Sequence, residues 1–177
     1  QIADLLGGAL TAAMGILAAV VEAQRSGQGR YIDVAMTDSV LAHTYFTMLR
    51  LNDAGNSAPR GGDLLSGGLP CYAVYRCADG RHMAVGALEK KFWELLCDTL
   101  GRPDLKPFHL AFGAKGEKAK QELAAVFAGQ PQSHWIDKFA GVDCCVTPVL
   151  TIAEALDKQG ISYVVAEQNR ELVERLR

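Results

Sequence analysis

The sequence predicts an α/β fold, in which helices are interspersed with short strands, and three observations support this. Residues 1–25 form an unbroken run rich in small apolar residues, which is typical of a long helix. Two runs of alternating residues flank Ala78-Asp79-Gly80, a pattern typical of a β-hairpin. A helical pattern over 90–100 follows the second run directly and is stopped by Gly101 and Pro103.

The first helix contains a single charged residue, Asp4, between Gln1 and Glu22. An aspartate at a helix start accepts hydrogen bonds from free backbone N–H groups and lies at the positive end of the helix dipole. Asp4 is therefore either an N-cap or a carboxylate held for chemistry. The glycines Gly7 and Gly8 would allow a ligand or a second helix to approach the backbone closely.

The composition excludes several classes of function. A chain of 177 residues with 49% hydrophobic residues can build one or two cores. A formal charge of −2 argues against nucleic-acid binding. The five cysteines are odd in number and show no C-x-x-C spacing, so we expect neither a metal site nor disulfides, but reduced thiols in a cytoplasmic protein. Cys144 and Cys145 are predicted to be small core residues.

The first helix is not predicted to span a membrane. Polar residues and glycines interrupt it, no basic region precedes it, and alanine outnumbers leucine. We therefore expect a packed interior helix. The chain starts inside a motif without an initiator methionine, and we expect it to be a fragment of a longer protein.

The segments between the first helix and the hairpin are predicted as follows. Residues 31–36 form a short strand, and Thr37 or Asp38 caps a helix over 39–51. Residues 52–70 are rich in glycine and proline and predict a loop or a crossing between domains. Within it, residues 66–70 are either a flexible flap over a ligand or a plain surface loop.

The remainder of the chain is predicted to be mainly helical. Glu89 lies at the start of the helix over 90–100, either as an ordinary first-turn residue or as a functional carboxylate. Further elements are predicted at these positions: helices over 117–127 and 133–139, a strand within 142–150 that Pro148 bends or places at an edge, a capping box at Thr151–Glu154, and a charged helical region past Gly160.

Several short stretches occur in a consistent order along residues 1–154. They are Gln1-Ile-Ala-Asp-Leu-Leu-Gly-Gly, Gly15-Ile-Leu-Ala-Ala, Gly27-Gln-Gly29, Asp33-Val-Ala-Met, Gly67-Gly-Leu-Pro-Cys-Tyr, Tyr75-Arg-Cys-Ala-Asp-Gly-Arg, Ala84-Val-Gly-Ala-Leu-Glu-Lys-Lys-Phe-Trp93 and Cys145-Val-Thr-Pro-Val-Leu. Together they resemble the family III CoA-transferases, the group that includes formyl-CoA transferase, carnitine CoA-transferase and α-methylacyl-CoA racemase. Residues from about Asp157 onward do not resemble the family.

The resemblance implies an architecture. A large α/β domain is assembled from both chain ends, a small α+β domain is inserted into it, and two subunits interlock as a homodimer. Residues 1–51 would then belong to the large domain, 52–68 to a linker, 69–143 to the small domain, and 144–177 to the return toward the large domain. The active site would lie between the large domain of one subunit and the small domain of the other.

The resemblance also implies site residues. Asp4 matches the family's catalytic aspartate, and Glu89 matches an active-site glutamate of the racemases. Gly67 and Gly68 match a substrate loop that is longer in the transferases, which favours the racemase branch. The racemases also use a histidine from a segment that would precede Gln1.

The implied function is racemisation at C2 of 2-methylacyl-CoA thioesters by acid–base proton transfer. The acyl-CoA thioester is the substrate, and no covalently bound cofactor is expected. The alternatives are CoA transfer between carboxylic acids through an acyl-enzyme on Asp4, and a truncated, non-catalytic dimer scaffold.

Overall fold

A computed structural model of the chain describes residues 1–159. The described residues form two compact units, Gln1–Pro59 and a second that begins at Arg60. The first unit is helical, and the second combines helices with a small antiparallel sheet. This mixture agrees with the predicted α/β class. The predicted domain boundaries stay predictions, and the region past Gly160 lies outside the described residues.

The first unit contains four helical segments. They are a π-helix at Ile2–Leu10, α1 at Thr11–Ser26, α2 at Met36–Ala42 and α3 at Tyr45–Ala54. The π-helix continues directly into α1, so the predicted first helix is confirmed. Its first nine residues form a π-helix and not an α-helix. Gly27 (φ 72°) and Gly55 (φ 68°) end α1 and α3 in the left-handed conformation that glycine adopts without strain.

Two predictions for the first unit are wrong. No strand forms at residues 31–36, and Met36 already begins α2. A strand needs a partner, and none exists among the described residues of this unit. Ile32 instead packs beside Gly15, where an added Cβ would lie 3.2 Å from Ile32 Cγ2.

The second error concerns the helix predicted over 39–51. It is divided between α2 and α3, and Thr44 Oγ1 donates to the Leu41 carbonyl at the break. Thr37 and Asp38 lie inside α2, because Ala35 (φ −92°, ψ 122°) is its N-cap. Helical spacing alone does not reveal a two-residue break, His43 and Thr44, between two short helices.

The first helix carries a large exposed apolar surface. Leu5, Met14 and Leu17 are 62–67% exposed, and Gly7 is the buried residue of the π-helix. The described residues therefore do not show the packed interior helix that was predicted. By length and composition (mean hydropathy 1.9), Ile2–Ser26 is also able to cross a membrane, a test that the core helix of a soluble protein passes as well. The expectation that it spans no membrane stays a prediction.

The second unit is built on a three-stranded antiparallel sheet in the order β1–β2–β3. The strands are β1 at Tyr72–Arg76, β2 at His82–Gly86 and β3 at Val146–Pro148. The helices of this unit are α4 at Lys90–Leu100, a 3₁₀-helix at Pro103–Phe108, α5 at Gly113–Ala128, α6 at Gln132–Lys138 and α7 at Ile152–Lys158. Tyr72 pairs with Gly86 and Arg76 with His82, which confirms the predicted hairpin.

One face of the sheet packs against the helices and forms the core. Met83 and Val85 of β2 are buried there with Trp93 of α4 and Phe127 of α5. Phe127 stacks on Tyr75 at 5.2 Å between ring centroids. The predicted helices over 90–100, 117–127 and 133–139 correspond to α4, α5 and α6.

The final described segment differs from its prediction in two respects, the length of the strand and the exposure of Cys145. The strand predicted within 142–150 is reduced to β3, an edge strand that contains Pro148 as expected. Cys145, directly before β3, has a φ of 56°, which interrupts extended backbone. Cys144 is buried as predicted, but Cys145 is exposed. The capping box between Thr151 and Glu154 is confirmed.

Candidate functional site

Asp4 lies in the first turn of the π-helix and is exposed. The N-cap is Gln1, so the interpretation of Asp4 as an N-cap is wrong. Within residues 1–159, neither a hydrogen bond nor an ion pair involves its carboxylate. The carboxylate is therefore available to a ligand or to another protein segment.

Gly7 and Gly8 provide a close approach between the π-helix and α2. An added Cβ on Gly7 would lie 2.9 Å from Val40 Cγ2 and 3.2 Å from the Met36 carbonyl oxygen. On Gly8 it would lie 3.2 Å from Met36 Cγ. Of the two occupants considered for these glycines, the structure shows the second helix. A cleft of about 470 Å³ opens beside this contact, between Ala3 and residues of α2.

The exposed face of the sheet in the second unit forms a separate groove of about 480 Å³. Val74, Ala84 and Thr147 lie side by side across the three strands on this face, because Val74 pairs with Ala84 and Ala84 with Thr147. Gly67 and Cys145 also line the groove. The side chains are small and mostly apolar, and the volume lies within the range of sites for small organic ligands.

The two glycines of the predicted substrate loop have different roles. Gly67 lines the groove and has a φ of 104°, which an L side chain rarely adopts. An added Cβ on Gly68 would lie 2.6 Å from the Gly62 carbonyl oxygen and 2.7 Å from that of Asp63. Gly68 N–H also donates to the Asp63 carbonyl at 2.9 Å. Gly68 is thus required by the packing of its own loop, whereas Gly67 contacts the groove.

Glu89 lies at the start of α4 as predicted, but as its N-cap and not as a first-turn residue. Its backbone carbonyl accepts hydrogen bonds from the N–H groups of Phe92 (3.0 Å) and Trp93 (3.1 Å). Its side chain makes no capping hydrogen bond and is exposed. The backbone therefore caps the helix, and the carboxylate is available for another contact.

An electrostatic interaction connects Glu89 to the groove. Partial burial raises the pKa of the Cys145 thiol, the carboxylates of Asp143 and Glu89 raise it further, and Lys91 opposes them. Gly86 and Cys145 both line the groove. Glu89 follows Gly86, the last residue of β2, by three residues, so its backbone leaves the sheet at the edge of the groove. Asp4 belongs to the first unit, whereas the groove, Gly67 and Glu89 belong to the second.

Sequence reasoning missed Cys145 as a groove residue. The other four cysteines are buried, and burial raises the pKa of the thiols of Cys71 and Cys144 to about 11. The pair Cys144-Cys145 in an apolar run predicts two core residues, and only the left-handed backbone at Cys145 turns its side chain outward. Within residues 1–159, no three His, Cys, Asp or Glu side chains converge as a metal site would require.

These features together define the chemistry that the chain offers. Asp4 in the first unit and Glu89 in the second are exposed carboxylates at helix starts, and Glu89 follows a residue that lines an apolar groove, Gly86, by three positions. A carboxylate beside an apolar surface can act as a general base, or as a nucleophile toward a carbonyl.

The sequence matches known proteins along most of its length. The model of CoA-transferase family III matches residues 1–168, which extends beyond the resemblance over 1–154. The chain is 38% identical to alpha-methylacyl-CoA racemase of Homo sapiens over 172 residues, which covers 94% of this chain and 45% of that protein. It is 35% identical to succinyl-CoA:mesaconate CoA-transferase of Haloarcula hispanica over 126 residues, 70% of this chain and 31% of that protein.

A solved structure shows the same fold. Rv3272 from M. tuberculosis matches with a TM-score of 0.63 and 21% identity, covering 92% of this chain and 42% of that one. At this identity the similarity concerns the fold alone, and it confirms the α/β class. The chain spans less than half the length of the curated relatives it matches.

Proposed function

Because this chain belongs to CoA-transferase family III, we propose that the protein of which it is part is an enzyme that acts on acyl-CoA thioesters. The reaction we propose is racemisation at C2 of a 2-methylacyl-CoA. The observation that carries this choice is the 38–39% identity to the human and mouse alpha-methylacyl-CoA racemases, over 89–94% of the chain.

The residues of the site support this chemistry. A proton on the carbon beside a thioester is weakly acidic, so its removal requires a well-placed base and stabilisation of the enolate oxygen. Racemisation also requires an acid on the opposite face of that carbon. Asp4 and Glu89 are exposed carboxylates at helix starts, and we propose that both take part in the active site. A histidine outside this chain would complete it, as the family resemblance implies.

The sheet groove supports an assignment for the substrate. Its surface of Val74, Ala84 and Gly86 is apolar, and Gly67 closes one side of it. Branched acyl chains are apolar and bind by burial of such surface. We therefore assign the acyl part of the thioester to this groove, close to the Glu89 carboxylate.

CoA transfer between carboxylic acids is the second candidate. It is favoured by the 35% identity to a succinyl-CoA:mesaconate CoA-transferase. In that reaction the Asp4 carboxylate attacks the thioester carbonyl, an anhydride forms, and the CoA thiolate leaves. The proton on C2 is not involved.

Assembly and location are proposals as well. The exposed apolar surface of Ile2–Ser26 supports a large contact with further polypeptide, and we propose that the full-length protein is an interlocked homodimer in the cytoplasm. The dimer would bring a large domain of one subunit to a small domain of the other.

Solvent deuterium distinguishes the reactions. The full-length protein is incubated with 2-methylacyl-CoA in heavy water, and the signal of the C2 proton is followed by NMR. A racemase replaces this proton by deuterium, because the proton leaves to one protein group and returns from another. CoA transfer to an added carboxylate without deuterium uptake would support the second candidate, and neither reaction would support the non-catalytic scaffold.

A further inference from the structure

Glu89 ends a tight turn over residues 86–89 that joins β2 to α4. Two backbone hydrogen bonds fix the start of this turn: Gly86 N–H donates to the Cys145 carbonyl, and Leu88 N–H donates to the Gly86 carbonyl, both at 2.8 Å. Neither bond reaches the peptide that joins Leu88 to Glu89. The orientation of this peptide determines where the Glu89 side chain leaves the backbone.

A histidine side chain holds that peptide. The Nε2 atom of His109 lies 2.6 Å from the Leu88 carbonyl oxygen. A carbonyl oxygen accepts only, so Nε2 carries the proton and donates. The hydrogen bond is made across 21 residues of sequence, and it fixes the peptide from outside the turn.

The His109 ring is itself fixed. It stacks on the indole of Trp93 with ring centroids 6.2 Å apart and ring planes inclined by 23°. Trp93 is fully buried, and its Nε1–H donates to the Lys106 carbonyl at 3.0 Å. The aromatic pair therefore connects the turn to the core of the second unit and to the 3₁₀-helix.

We propose that His109 is a positioning residue, which holds the Leu88–Glu89 peptide so that the Glu89 carboxylate stays at the edge of the groove. This inference rests on the proposed function for the role of Glu89, but the tether itself does not. His109 does not act on substrate, because its donor atom is used by the backbone and its ring by Trp93. Reactions between bound groups are sensitive to displacements of about 1 Å, so a loosened peptide should slow the reaction.

Two variants of the full-length protein separate the hydrogen bond from the packing. His109→Phe keeps an aromatic ring against Trp93 and removes the donor. His109→Gln keeps an N–H donor near the position of Nε2 and removes the ring. His134→Phe, at an exposed position on α6, is the matched control for introducing phenylalanine.

Each variant is measured in two ways: by kcat and KM for C2 deuterium exchange, and by backbone amide hydrogen exchange of residues 86–92. For His109→Phe we expect kcat to fall about tenfold, KM to stay within about twofold, and amide exchange in the turn to rise. His109→Gln should restore kcat to within about threefold of the wild type and protect the turn. His134→Phe should change neither quantity.

The outcomes separate this inference from the proposed function. If His109→Phe leaves amide exchange or kcat unchanged, or if His109→Gln loses as much as His109→Phe, His109 is not a positioning residue. If the wild type transfers CoA and takes up no deuterium, the racemase proposal fails, and the same variants are compared by their transfer rates. The amide exchange of the turn tests the tether whichever reaction is found.

Discussion

Asp4 combines exposure with a position where a negative charge is favoured, and it has no stabilising partner among the described residues. Replacing it therefore costs the fold at most the interaction with the helix dipole, about 0.3–1 kcal/mol. We expect Asp4→Asn in the full-length protein to abolish both C2 exchange and CoA transfer while Tm changes little. The measurements are the two reaction rates and thermal unfolding.

Asp38 provides the matched control for that experiment. It is also an exposed acidic residue in the first turn of a helix, α2, and lies outside the proposed site. Asp38→Asn should retain activity. Full activity of Asp4→Asn would contradict both proposed reactions.

Glu89 caps α4 through its backbone, so its side chain can be changed without loss of the cap. We expect Glu89→Gln to reduce C2 exchange by roughly tenfold or more at an unchanged Tm, because general acid–base catalysis contributes typically about 10²–10⁴-fold. Glu94→Gln is the control, because Glu94 forms an exposed ion pair with Lys90, and such a pair contributes little to stability. If Glu89→Gln exchanges as fast as the wild type, Glu89 serves only as the N-cap of α4 and has no role in the reaction.

For single residues, the sequence predicted the positions of Asp4 and Glu89 but not the environments of Cys145 and His109. A lone charge in an apolar run and a glutamate after a strand are local patterns, and both residues lie at helix starts as predicted. Asp4 is not the cap because the helix begins two residues before it, at Ile2. The exposure of Cys145 depends on its φ of 56°, and the positioning role proposed for His109 depends on a contact with a residue 21 positions away. Neither feature could be predicted from the sequence.

At the scale of the elements, the role of the exposed sheet face can be tested by a substitution at Gly86, a glycine that the fold does not require. An added Cβ on Gly86 would lie 3.7 Å from the Cys145 carbonyl oxygen, an ordinary contact, and alanine is favoured over glycine within a strand by roughly 0.5–1 kcal/mol. Gly86→Ala should therefore fold as well as the wild type. The added methyl group lies in the groove, so we expect KM for a 2-methylacyl-CoA to rise several-fold.

Gly68→Ala is the contrasting variant on the loop beside the groove. Its Cβ would meet backbone atoms at 2.6–2.7 Å, and such overpacking costs about 1–3 kcal/mol. We expect Gly68→Ala to have a lower Tm than the wild type, and Gly86→Ala to have an unchanged Tm. An unchanged KM in Gly86→Ala would contradict the assignment of the acyl chain to this groove.

The contact between the hairpin and α7 involves an ionisable side chain, Glu154. Glu154 accepts hydrogen bonds from Thr151 N–H (2.9 Å) and from Arg81 (2.7 Å), and these bonds lower the pKa of Glu154 from 4.5 to about 2. A carboxylate whose pKa is lowered on folding stabilises the protein above the unfolded pKa and loses this effect as the pH falls through the folded value.

We therefore expect wild type to be more stable than Glu154→Gln above about pH 4.5, with the difference vanishing toward pH 2. Chemical unfolding at several pH values measures this difference. Asp157→Asn, on the same helix and exposed, is the control and should show no such trend. A constant difference between wild type and Glu154→Gln across this range would contradict the assignment.

The elements were predictable where their interactions are local. The hairpin, α4 and the capping box each depend on residues within about a dozen positions, and all three are confirmed. The strand predicted over 31–36 needed a partner strand, and the described residues of its unit offer none. Alternating residues indicate a strand only where a second strand is present to pair with it.

At the scale of the whole molecule, the first helix carries an extended surface of exposed apolar side chains. Its apolar side chains are exposed over both the π-helix and α1, although such residues usually become buried. The chain spans 45% of the human racemase that it resembles, and we infer that further polypeptide of the full-length protein covers this surface. The predicted burial of this helix therefore concerns the full-length protein, and it stays a prediction.

Leu17 tests this inference, because it is 67% exposed in the middle of α1. Full burial of a leucine side chain contributes about 1.5–3 kcal/mol, and an unpaired charge at a buried position costs more. We expect Leu17→Glu in the full-length protein to lower Tm by several degrees and to disturb the dimer, measured by thermal unfolding and light scattering. Gln24→Glu adds the same charge at an exposed polar position near the end of α1, and it should change neither quantity. If Leu17→Glu has the stability and mass of the wild type, this face is exposed to water. If the wild type co-floats with lipid vesicles and the variant does not, a membrane covers the face instead.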